Sequence, residues 1–408
     1  MIYSQHNLYV YPRLKLDIRL RDLWRALLSF VFPLNMNKTI NNIQKFWHTE
    51  KDIIPTLSVR TAFDLLLQSL QLPPGSEVLM SAINIADMVE IVERHQLVPV
   101  PVDIDLLTCE PSIPLLEKLV SQKTKILLIA HIFGTIIDLN PYVDFCRQKN
   151  LILIEDCAQG FAGNRYYGHW EADVSFFSFG PIKSCTALGG AITLLKDKNL
   201  SIQMQEIEAT YPQKSETWFF IRILKFMSLK ILSFPWIYCQ LLSLLKLCGQ
   251  DLDSTIVAMT RGFAQGDLFI KIRHRPPQHL LWLLSDRLSQ CGEFLQRQKT
   301  GENFQKILPK NILVPGVKAS LHSFWLFPII VNHPHRVLQY LRTHNFDASR
   351  GSTSLIVKES HDQQNHLAPE NAKYLMQQIL FLPVYPDVPV AELTRLSQCL
   401  RDIIENPN

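Results

Sequence analysis

The feature that most limits the folds open to this chain is a regular alternation of short apolar runs with helix-like segments between residues 58 and 156. The segment SVRTAFDLLLQSLQ repeats apolar residues at helical spacing from Ser58, and the Pro-Gly turn of LPPGSE ends it. The runs EVLM, VPVPVDID, KILLIAH and LILIED then alternate with further helix-like segments, which is typical of βαβ units. The sequence therefore predicts an α/β fold with a mainly parallel central sheet sandwiched by helices.

Polar residues follow several of these strand-like runs. Asp103, His131 and Asp156 all fall at the carboxyl end of a predicted strand. In open parallel sheets, ligands bind beyond the carboxyl ends of the strands. We therefore expect the functional site at that edge of the sheet.

The alternation stops after Leu195, and the pattern divides the chain into regions. We expect an N-terminal arm at 1–55, a large ligand-binding domain at 56–265 with an apolar helical insert at about 201–250, and a small α+β domain at 266–408. In the last region, HLLWLLSDRLSQCGEFLQRQ is typical of one long amphipathic helix and FWLFPIIV of a strand.

Charge and cysteine content exclude several classes of protein. The 408 residues include 41 basic and 37 acidic side chains, for a net charge of +4, so the chain lacks the strong positive field of nucleic-acid-binding proteins. The eight cysteines form no CxxC pair. We therefore expect buried reduced thiols, no metal site and a cytoplasmic location.

Residues 218–248 form a strongly apolar stretch interrupted by basic residues and by Pro235. Its longest uncharged run, Ile231 to Leu245, is shorter than the roughly 20 residues that span a bilayer. This stretch fits helices at a membrane interface or helices packed into a subunit interface, and both alternatives remain open. The basic amphipathic pattern at 12–50 fits an arm packed on the body or on a partner subunit better than a helix on a membrane surface.

Residues 151–195 place an acid and a lysine just after two apolar strands. Asp156 follows LILIE, so its carboxylate would emerge from a buried strand and could bond a protonated pyridine nitrogen. Lys183 follows VSFFSFG, and a lysine desolvated there would be nucleophilic towards an aldehyde. Taken singly, Asp156 would more often cap a helix and Lys183 would more often be a solvated surface charge. Together they predict pyridoxal phosphate (PLP), with Lys183 as the Schiff-base lysine.

Three further residues are candidates for the phosphate of that cofactor. Ser178 lies at the end of the predicted strand that precedes the Lys183 loop, and there it would be either a hydrogen-bond donor to the phosphate or a turn residue. Arg60 and Thr61 lie in the first turn of a predicted helix, whose free amides favour an anion. Gly189 and Gly190 would let the chain pass close to the cofactor.

The motifs in this region resemble the DegT family of PLP-dependent sugar aminotransferases. The family pattern Glu-Asp-x-Ala-Gln, then Ser-Phe-x-x-x-Lys, then Gly-Gly is matched by a series of residues: Glu155, Asp156, Ala158, Gln159, Ser178, Phe179, Lys183, Gly189 and Gly190. Upstream, HIFG with Asp138, PPGSEV and PVDID are similar to other family segments. The resemblance extends from about residue 56 to 196, and it implies a fold type I PLP-transferase.

The resemblance also implies an activity and the roles of residues. It implies that Gln159 contacts the cofactor ring hydroxyl and Ser178 its phosphate. The implied reaction moves an amino group, from L-glutamate, to a keto group of a nucleotide-linked sugar for polysaccharide or secondary-metabolite biosynthesis. The implied assembly is a homodimer with a shared active site. Because Lys183 is present where dehydratase relatives have histidine, the resemblance implies transamination.

The chain departs from the family pattern at four places. Ser58-Val59-Arg60-Thr61 replaces Ser-Gly-Thr, Ile85 lies where an aromatic residue usually covers the ring, and Leu188 replaces an acid before Gly-Gly. No segment matches the family's Asn-x-Arg cleanly, and Arg273 and Arg275 are the nearest candidates. Two alternatives therefore stay open: a PLP-fold sensor or membrane-associated scaffold without transaminase activity, and PLP chemistry on a lipid-like or amino-acid substrate docked through 218–248.

Overall fold

A computed structural model describes residues 9–13, 15–247, 266–291, 294–350, 355–358 and 368–405. Some sequence predictions therefore lie outside the described residues, among them Cys248, the end of the helical insert and the first eight residues of the arm. The seven cysteines in the described part of the chain are all free thiols.

The strands and helices follow the predicted alternation. The thirteen strands in the described residues are β1 (Asp52–Thr56), β2 (Glu77–Ser81), β3 (Ile83–Ile85), β4 (Val98–Val102), β5 (Thr124–Ala130), β6 (Thr135–Ile136), β7 (Ile152–Asp156), β8 (Val174–Ser178), β9 (Ala191–Leu195), β10 (Leu321–His322), β11 (Phe327–Ile330), β12 (Leu355–Val357) and β13 (Ile379–Leu382). The helices are α1 (Leu20–Leu28), α2 (Met36–Trp47), α3 (Val59–Leu70), α4 (Ala86–Arg94), α5 (Ile113–Leu119), α6 (Asn140–Lys149), α7 (Lys198–Ala209), α8 (Glu216–Leu232), α9 (Pro235–Leu247), α10 (Leu268–Ile272), α11 (Gln278–Ser289), α12 (Phe294–Ile307), α13 (Pro334–Thr343), α14 (Glu370–Gln378) and α15 (Val390–Glu405).

Seven strands form one central sheet in the order β1-β9-β8-β7-β5-β2-β4. The pairs from β4 to β8 are parallel, whereas β9 runs antiparallel to both β8 and β1. Hydrophobic clusters fill both faces, with Phe63 and Phe176 on one side and Phe145 and Leu153 on the other. The predicted mainly parallel α/β sandwich is confirmed. The sequence pattern predicted it because strands buried on both faces are apolar along their whole length.

This topology brings two predicted site residues to one edge. Asp156 and Ser178 end the adjacent strands β7 and β8, and the loop after β8 contains Lys183. The N-terminus of α3, at Val59, follows β1, and only β9 separates β1 from β8 in the same sheet. The carboxyl edge predicted as the functional edge therefore has both an acid and a lysine.

The N-terminal arm packs on the body of the protein. Asp22 of α1 is fully buried and accepts a hydrogen bond from Arg287 at 2.8 Å, and Arg13 forms a buried ion pair with Asp347 at 2.6 Å. Tyr238 of α9 donates to the same Asp347 carboxylate at 2.6 Å. These contacts join the arm, the apolar insert and the C-terminal region through one buried carboxylate.

The C-terminal region has two packed β-strands, β11 and β13, covered by helices. The single long helix predicted from HLLWLLSDRLSQCGEFLQRQ is wrong, because the structure has α11 ending at Ser289 and α12 beginning at Phe294. Helix α11 packs into the same cluster as Phe177 and Phe179 of the large domain, whereas α12 packs with the C-terminal strands. We therefore propose that the small α+β unit begins nearer residue 294 than residue 266.

Helices α8 and α9 combine a buried side with an exposed apolar side. Phe219, Ile223 and Phe226 are buried. The exposed large hydrophobic residues of these helices, of the link between them and of the N-terminal arm are Tyr9, Trp24, Leu28, Val31, Phe32, Phe220, Ile221, Leu224, Ile231, Phe234, Trp236, Leu244 and Leu247, and we name this set the apolar surface. In the described part of the chain, no single helix is long and apolar enough to cross a membrane, although α8 together with Pro235–Leu245 meets the length and composition criteria as a pair bent by 95°.

Candidate active site

A cavity of about 630 Å³ lies at the carboxyl edge of the central sheet. Its wall includes six of the seven residues predicted as catalytic or cofactor-binding: Arg60, Ile85, Asp156, Gln159, Ser178 and Lys183. The volume is within the range of small-molecule sites. Residues far apart in sequence therefore meet at the carboxyl ends of the strands, where a parallel sheet binds its ligands.

Lys183 is half-buried, and its ammonium group lies 4.4 Å from the centre of the Trp325 ring. Burial lowers the pKa of Lys183 from 10.5 to about 7, and Arg60 adds to this effect while Asp156 opposes it. No acidic side chain in the described residues forms an ion pair with it. The amine is therefore largely neutral near neutral pH, which is the nucleophilic form.

Asp156 is 7% exposed at the end of β7. Burial raises its pKa, while the N–H of Ala158, which donates to Oδ1 at 2.9 Å, and the charge of Lys183 oppose that increase. Its Oδ2 has no hydrogen-bond donor in the described part of the chain. Because Asp156 lines the cavity, this oxygen is suited to a cationic or N–H partner bound there.

A fully buried network lies directly beneath the cavity. His131, which also lines the cavity, bonds Glu155 Oε1 through Nε2 at 2.8 Å, while its Nδ1 accepts the N–H of Ile137 at 3.1 Å. Glu155 also accepts hydrogen bonds from Tyr166 and from Ser175. Burial would raise the pKa of Glu155, but the bonds from His131 and Tyr166 outweigh it and hold the pKa at about 2. The network fixes His131 and the end of β7 in position.

His131, Glu155 and Cys157 also bring three possible metal-ligand atoms within 4.8 Å of one another. However, both His131 nitrogens and both Glu155 oxygens already have hydrogen-bond partners within the protein. Burial raises the pKa of the Cys157 thiol well above 9.0, so the thiolate that a metal requires is disfavoured. The cluster is therefore better suited to support the cavity than to bind an ion.

The predicted phosphate contacts are only partly brought together. Ser178 lines the cavity, and its hydroxyl has no hydrogen-bond partner in the described residues. Arg60 lines it too and pairs with Asp87. Thr61 does not line it, because its hydroxyl donates to the carbonyl of Ile272 at 2.8 Å on the opposite side of the helix.

The first turn of α3 is capped by its own sequence. The Ser58 side chain accepts from the Thr61 N–H at 3.2 Å, and the Ser58 carbonyl accepts from Ala62 at 3.0 Å. The N–H of Val59 has no acceptor in the described part of the chain, and Val59 lines the cavity. This helix end therefore presents a donor and a positive dipole end to the cavity.

Gln159 and Ile85 also lie on the cavity wall. The side-chain oxygen of Gln159 accepts the N–H of Phe133 at 3.0 Å, which fixes its orientation. Ile85 belongs to β3, which pairs with the C-terminal strand β12. Gly189 and Gly190 also line the cavity, but a Cβ at either would approach Leu280 within 2.9 or 2.8 Å. Their small size is therefore required for packing against α11.

The cavity residues that the sequence prediction missed include Trp325, Trp218 and Arg222. Trp325 comes from the C-terminal region and donates from Nε1 to the carbonyl of Ile182 at 2.9 Å, next to the lysine. Trp218 and Arg222 belong to the apolar insert. No local sequence signal links either region to the strand ends, although an arginine within an apolar helix is itself an indication of function.

Arg273 and Arg275, the nearest candidates for the family's Asn-x-Arg, lie away from this chain's own cavity. Arg273 pairs with the buried Asp64 through two contacts of 3.0 Å, and Arg275 donates to the carbonyl of Tyr211 at 3.0 Å. Arg273 therefore joins the end of α10 to α3, whereas Arg275 joins the segment after α10 to the segment after α7.

Comparisons with known proteins agree with this geometry. Residues 40–218 match the profile of the DegT/DnrJ/EryC1/StrS aminotransferase family. A GDP-perosamine synthase of Escherichia coli O157:H7 is 31% identical over 142 residues, which are 34% of this chain and 39% of that protein. A UDP-4-amino-4-deoxy-L-arabinose–oxoglutarate aminotransferase of Shewanella sediminis is 28% identical over 164 residues, 40% of this chain and 42% of that protein.

The similarity in sequence is confined to part of the chain, whereas the fold is shared almost throughout. The matches span about two fifths of the curated relatives' length. NtdA of Bacillus subtilis, solved with bound PMP, superposes with a TM-score of 0.71 at 17% identity, covering 99% of this chain and 87% of that one. The described C-terminal region therefore shares the fold of that protein.

Proposed function

We propose that the chain belongs to the DegT/DnrJ/EryC1/StrS aminotransferase family, whose profile residues 40–218 match, and that it is a PLP-dependent aminotransferase acting on a keto group of a nucleotide-linked sugar. The observation that supports this most strongly is the cavity in which a largely neutral Lys183 and the buried carboxylate of Asp156 both face the same space. A desolvated lysine together with a buried acid is the pair that such chemistry requires.

The side chains fit the proposed cofactor. Lys183 and Asp156 would hold it, because one offers a neutral amine and the other an oxygen without a donor. The Ser178 hydroxyl and the Val59 N–H are donors with no acceptor in the described residues, so they suit an anionic group. When bound, PLP would supply an electron sink for breaking a bond next to an amino group.

The chain's own residues would move the protons. With a pKa of about 7, Lys183 Nζ can accept a proton from a substrate carbon and return it elsewhere without a large energetic cost. Asp156 presents its carboxyl group at the floor of the cavity, and His131 and Glu155 fix that floor. The ring of Trp325 shields the ammonium form of Lys183 from bulk water.

The proposed substrates follow from the relatives' names. One relative is a sugar aminotransferase that uses oxoglutarate, so L-glutamate is the proposed amino donor here. Other relatives are GDP-perosamine synthases, so a nucleotide-linked keto-sugar is the proposed acceptor.

The test is the visible absorption spectrum of the purified protein supplied with PLP, before and after L-glutamate, beside Lys183→Ala. We expect a band in the wild type that changes on addition of glutamate and is absent in Lys183→Ala. Lys196→Ala, which removes an exposed lysine after β9, is the matched control and should retain the band. A wild type without such a band would refute the proposal and favour the scaffold or sensor alternative.

We also propose a homodimer, because the apolar surface requires a cover. The proposed location is the cytoplasm. A second copy or a membrane surface could provide that cover. Light scattering after size-exclusion chromatography and flotation with anionic liposomes distinguish the two. Replacing Ile221 and Leu224 with serine should abolish whichever association occurs, and a monomer that does not float would refute both.

A further inference from the structure

Arg222 is an unexpected component of the cavity wall. It belongs to α8, inside the apolar stretch that the sequence assigns to a membrane or subunit interface. Between Glu216 and Asp251 the sequence contains no acidic residue. The insert therefore brings a positive charge to the cavity without bringing a counter-charge.

The Arg222 side chain is held in a defined orientation. Its Nε donates to the carbonyl of Leu188 at 2.5 Å. Its guanidinium carbon lies 5.0 Å from the Trp218 ring centre and 5.3 Å from that of Phe226. Neither Nη nitrogen has a hydrogen-bond acceptor in the described part of the chain. The outer edge of the guanidinium, which offers the paired donors, is thus available for a ligand.

Arg222 differs in this respect from other partly buried arginines of the chain. Arg60 pairs with Asp87, Arg273 with Asp64, and Arg287 with Asp22. No carboxylate among the described residues forms an ion pair with Arg222, and burial alone lowers its pKa to about 10. A desolvated guanidinium without a counter-ion destabilises the fold, so an anionic ligand would relieve that cost.

The anchor of Arg222 lies beside the anion-favouring corner of the cavity. Leu188 precedes Gly189 and Gly190, and the Gly190 N–H donates to the carbonyl of Leu57 at 3.0 Å. Leu57 leads directly into Ser58 and the first turn of α3, where the Val59 N–H has no acceptor among the described residues. Leu188 adopts a positive φ of 64° to make this approach, a conformation that non-glycine residues rarely adopt.

We propose that Arg222 forms an oxyanion subsite of the cavity, binding a phosphate or carboxylate group of the ligand through its two Nη nitrogens. The inference rests on the proposed function for its ligands, and it assigns to the apolar insert a role in the active site. The oxyanion has two sources: the phosphate of the cofactor or an acidic group of the substrate. Both would form the bidentate, charge-assisted bonds that arginine favours.

The experiment compares wild type, Arg222→Gln and a control, Lys225→Gln, which removes an exposed charge from the same helix outside the cavity wall. Protein fluorescence measures the affinity of the apo protein for PLP and for pyridoxal, which lacks the phosphate. Thermal unfolding measures stabilisation by inorganic phosphate. The visible spectrum of the PLP-loaded protein measures the glutamate concentration for half-maximal change.

If the oxyanion is the cofactor phosphate, Arg222→Gln weakens PLP binding by about tenfold to hundredfold and leaves pyridoxal binding unchanged. If it is a substrate acid, PLP binding is unchanged and the glutamate requirement increases by a similar factor. Either result supports the subsite. The proposed subsite is overturned if Arg222→Gln and Lys225→Gln have the same PLP affinity, the same half-maximal glutamate concentration and the same stabilisation by phosphate.

Two further comparisons keep the outcome clear. Arg222→Lys retains the charge and the apolar stem but loses the planar fork, so it should be intermediate, and it replaces Arg222→Gln if that variant does not fold. If wild type binds no PLP, the proposed function fails separately. Stabilisation by phosphate that is lost only in the Arg222 variants would then still support the subsite.

Discussion

The prediction with the sharpest numerical consequence concerns the titration of Lys183 in the protein without cofactor. Burial lowers its pKa from 10.5 to about 7. Near pH 7.5, about three quarters of the amine would be neutral, against about one part in a thousand for an ordinary lysine. The reactivity of Lys183 towards an amine reagent should therefore exceed that of an ordinary lysine several-hundredfold if access is equal.

The same difference in pKa links the stability of the apo protein to pH. Between pH 7 and 10.5 the unfolded chain binds a proton at Lys183 that the folded chain does not. Stability therefore increases with pH across this window, and below pH 7 the desolvated charge costs at most about 5 kcal/mol. Lys183→Met should be more stable than wild type near pH 7 by part of that amount and should lose this dependence.

The assay is competitive reductive methylation over a series of pH values, with the Lys183 peptide quantified by mass spectrometry. The same peptide from urea-unfolded protein is the reference, since it has identical chemistry without burial. Arg60→Gln should move the Lys183 midpoint to higher pH and Asp156→Asn to lower pH, because Arg60 lowers and Asp156 raises the pKa. A folded-state midpoint near that of the unfolded reference, or shifts of the opposite sign, would refute the reasoning.

Three other predictions test the surroundings of the site. Trp325→Ala should weaken the spectral response to glutamate about tenfold, because the ring 4.4 Å from the Lys183 amine is lost, while Trp325→Phe should retain most of it. Glu155→Gln should destabilise the fold by about 2–4 kcal/mol at neutral pH in urea titrations. Because the pKa of Glu155 is held at about 2, the greater stability of the wild type should persist above pH 4.5 and disappear as the pH falls towards 2. A stability difference that does not vary with pH would contradict this. Gly190→Ala should lower the free energy of unfolding by about 1–3 kcal/mol, because Gly190 has a φ of 86° and a Cβ there would lie 2.8 Å from Leu280. Adding Leu280→Ala removes the steric contact but should not restore full stability. Complete recovery would show that the strained φ is unimportant.

The alternation of apolar runs and helices determined the architecture from sequence, because the two periodicities are local properties of the chain. It gave the parallel strands within one to three residues of their observed bounds, and it placed Asp156 and Lys183 at one edge because carboxyl ends of parallel strands lie together. The single long helix expected across residue 290 was wrong, since amphipathic spacing continued past the point where the chain leaves the helix.

Tertiary structure alone decided what surrounds those residues. The apolar spacing of 218–248 describes one buried side and one exposed side of each helix, but it contains no information on which body the buried side contacts. Packing turned α8 so that Arg222 reaches the cavity and brought Trp325 from a distant segment against Lys183. Packing also directs the Thr61 hydroxyl to the carbonyl of Ile272 and not into the cavity. The first turn of a helix presents its backbone N–H groups along the helix axis, whereas the direction of each side chain depends on its position around the helix. Side-chain contacts between distant segments depend on how whole elements pack, so a local pattern predicted the lysine and the acid but not the arginine and the tryptophan beside them.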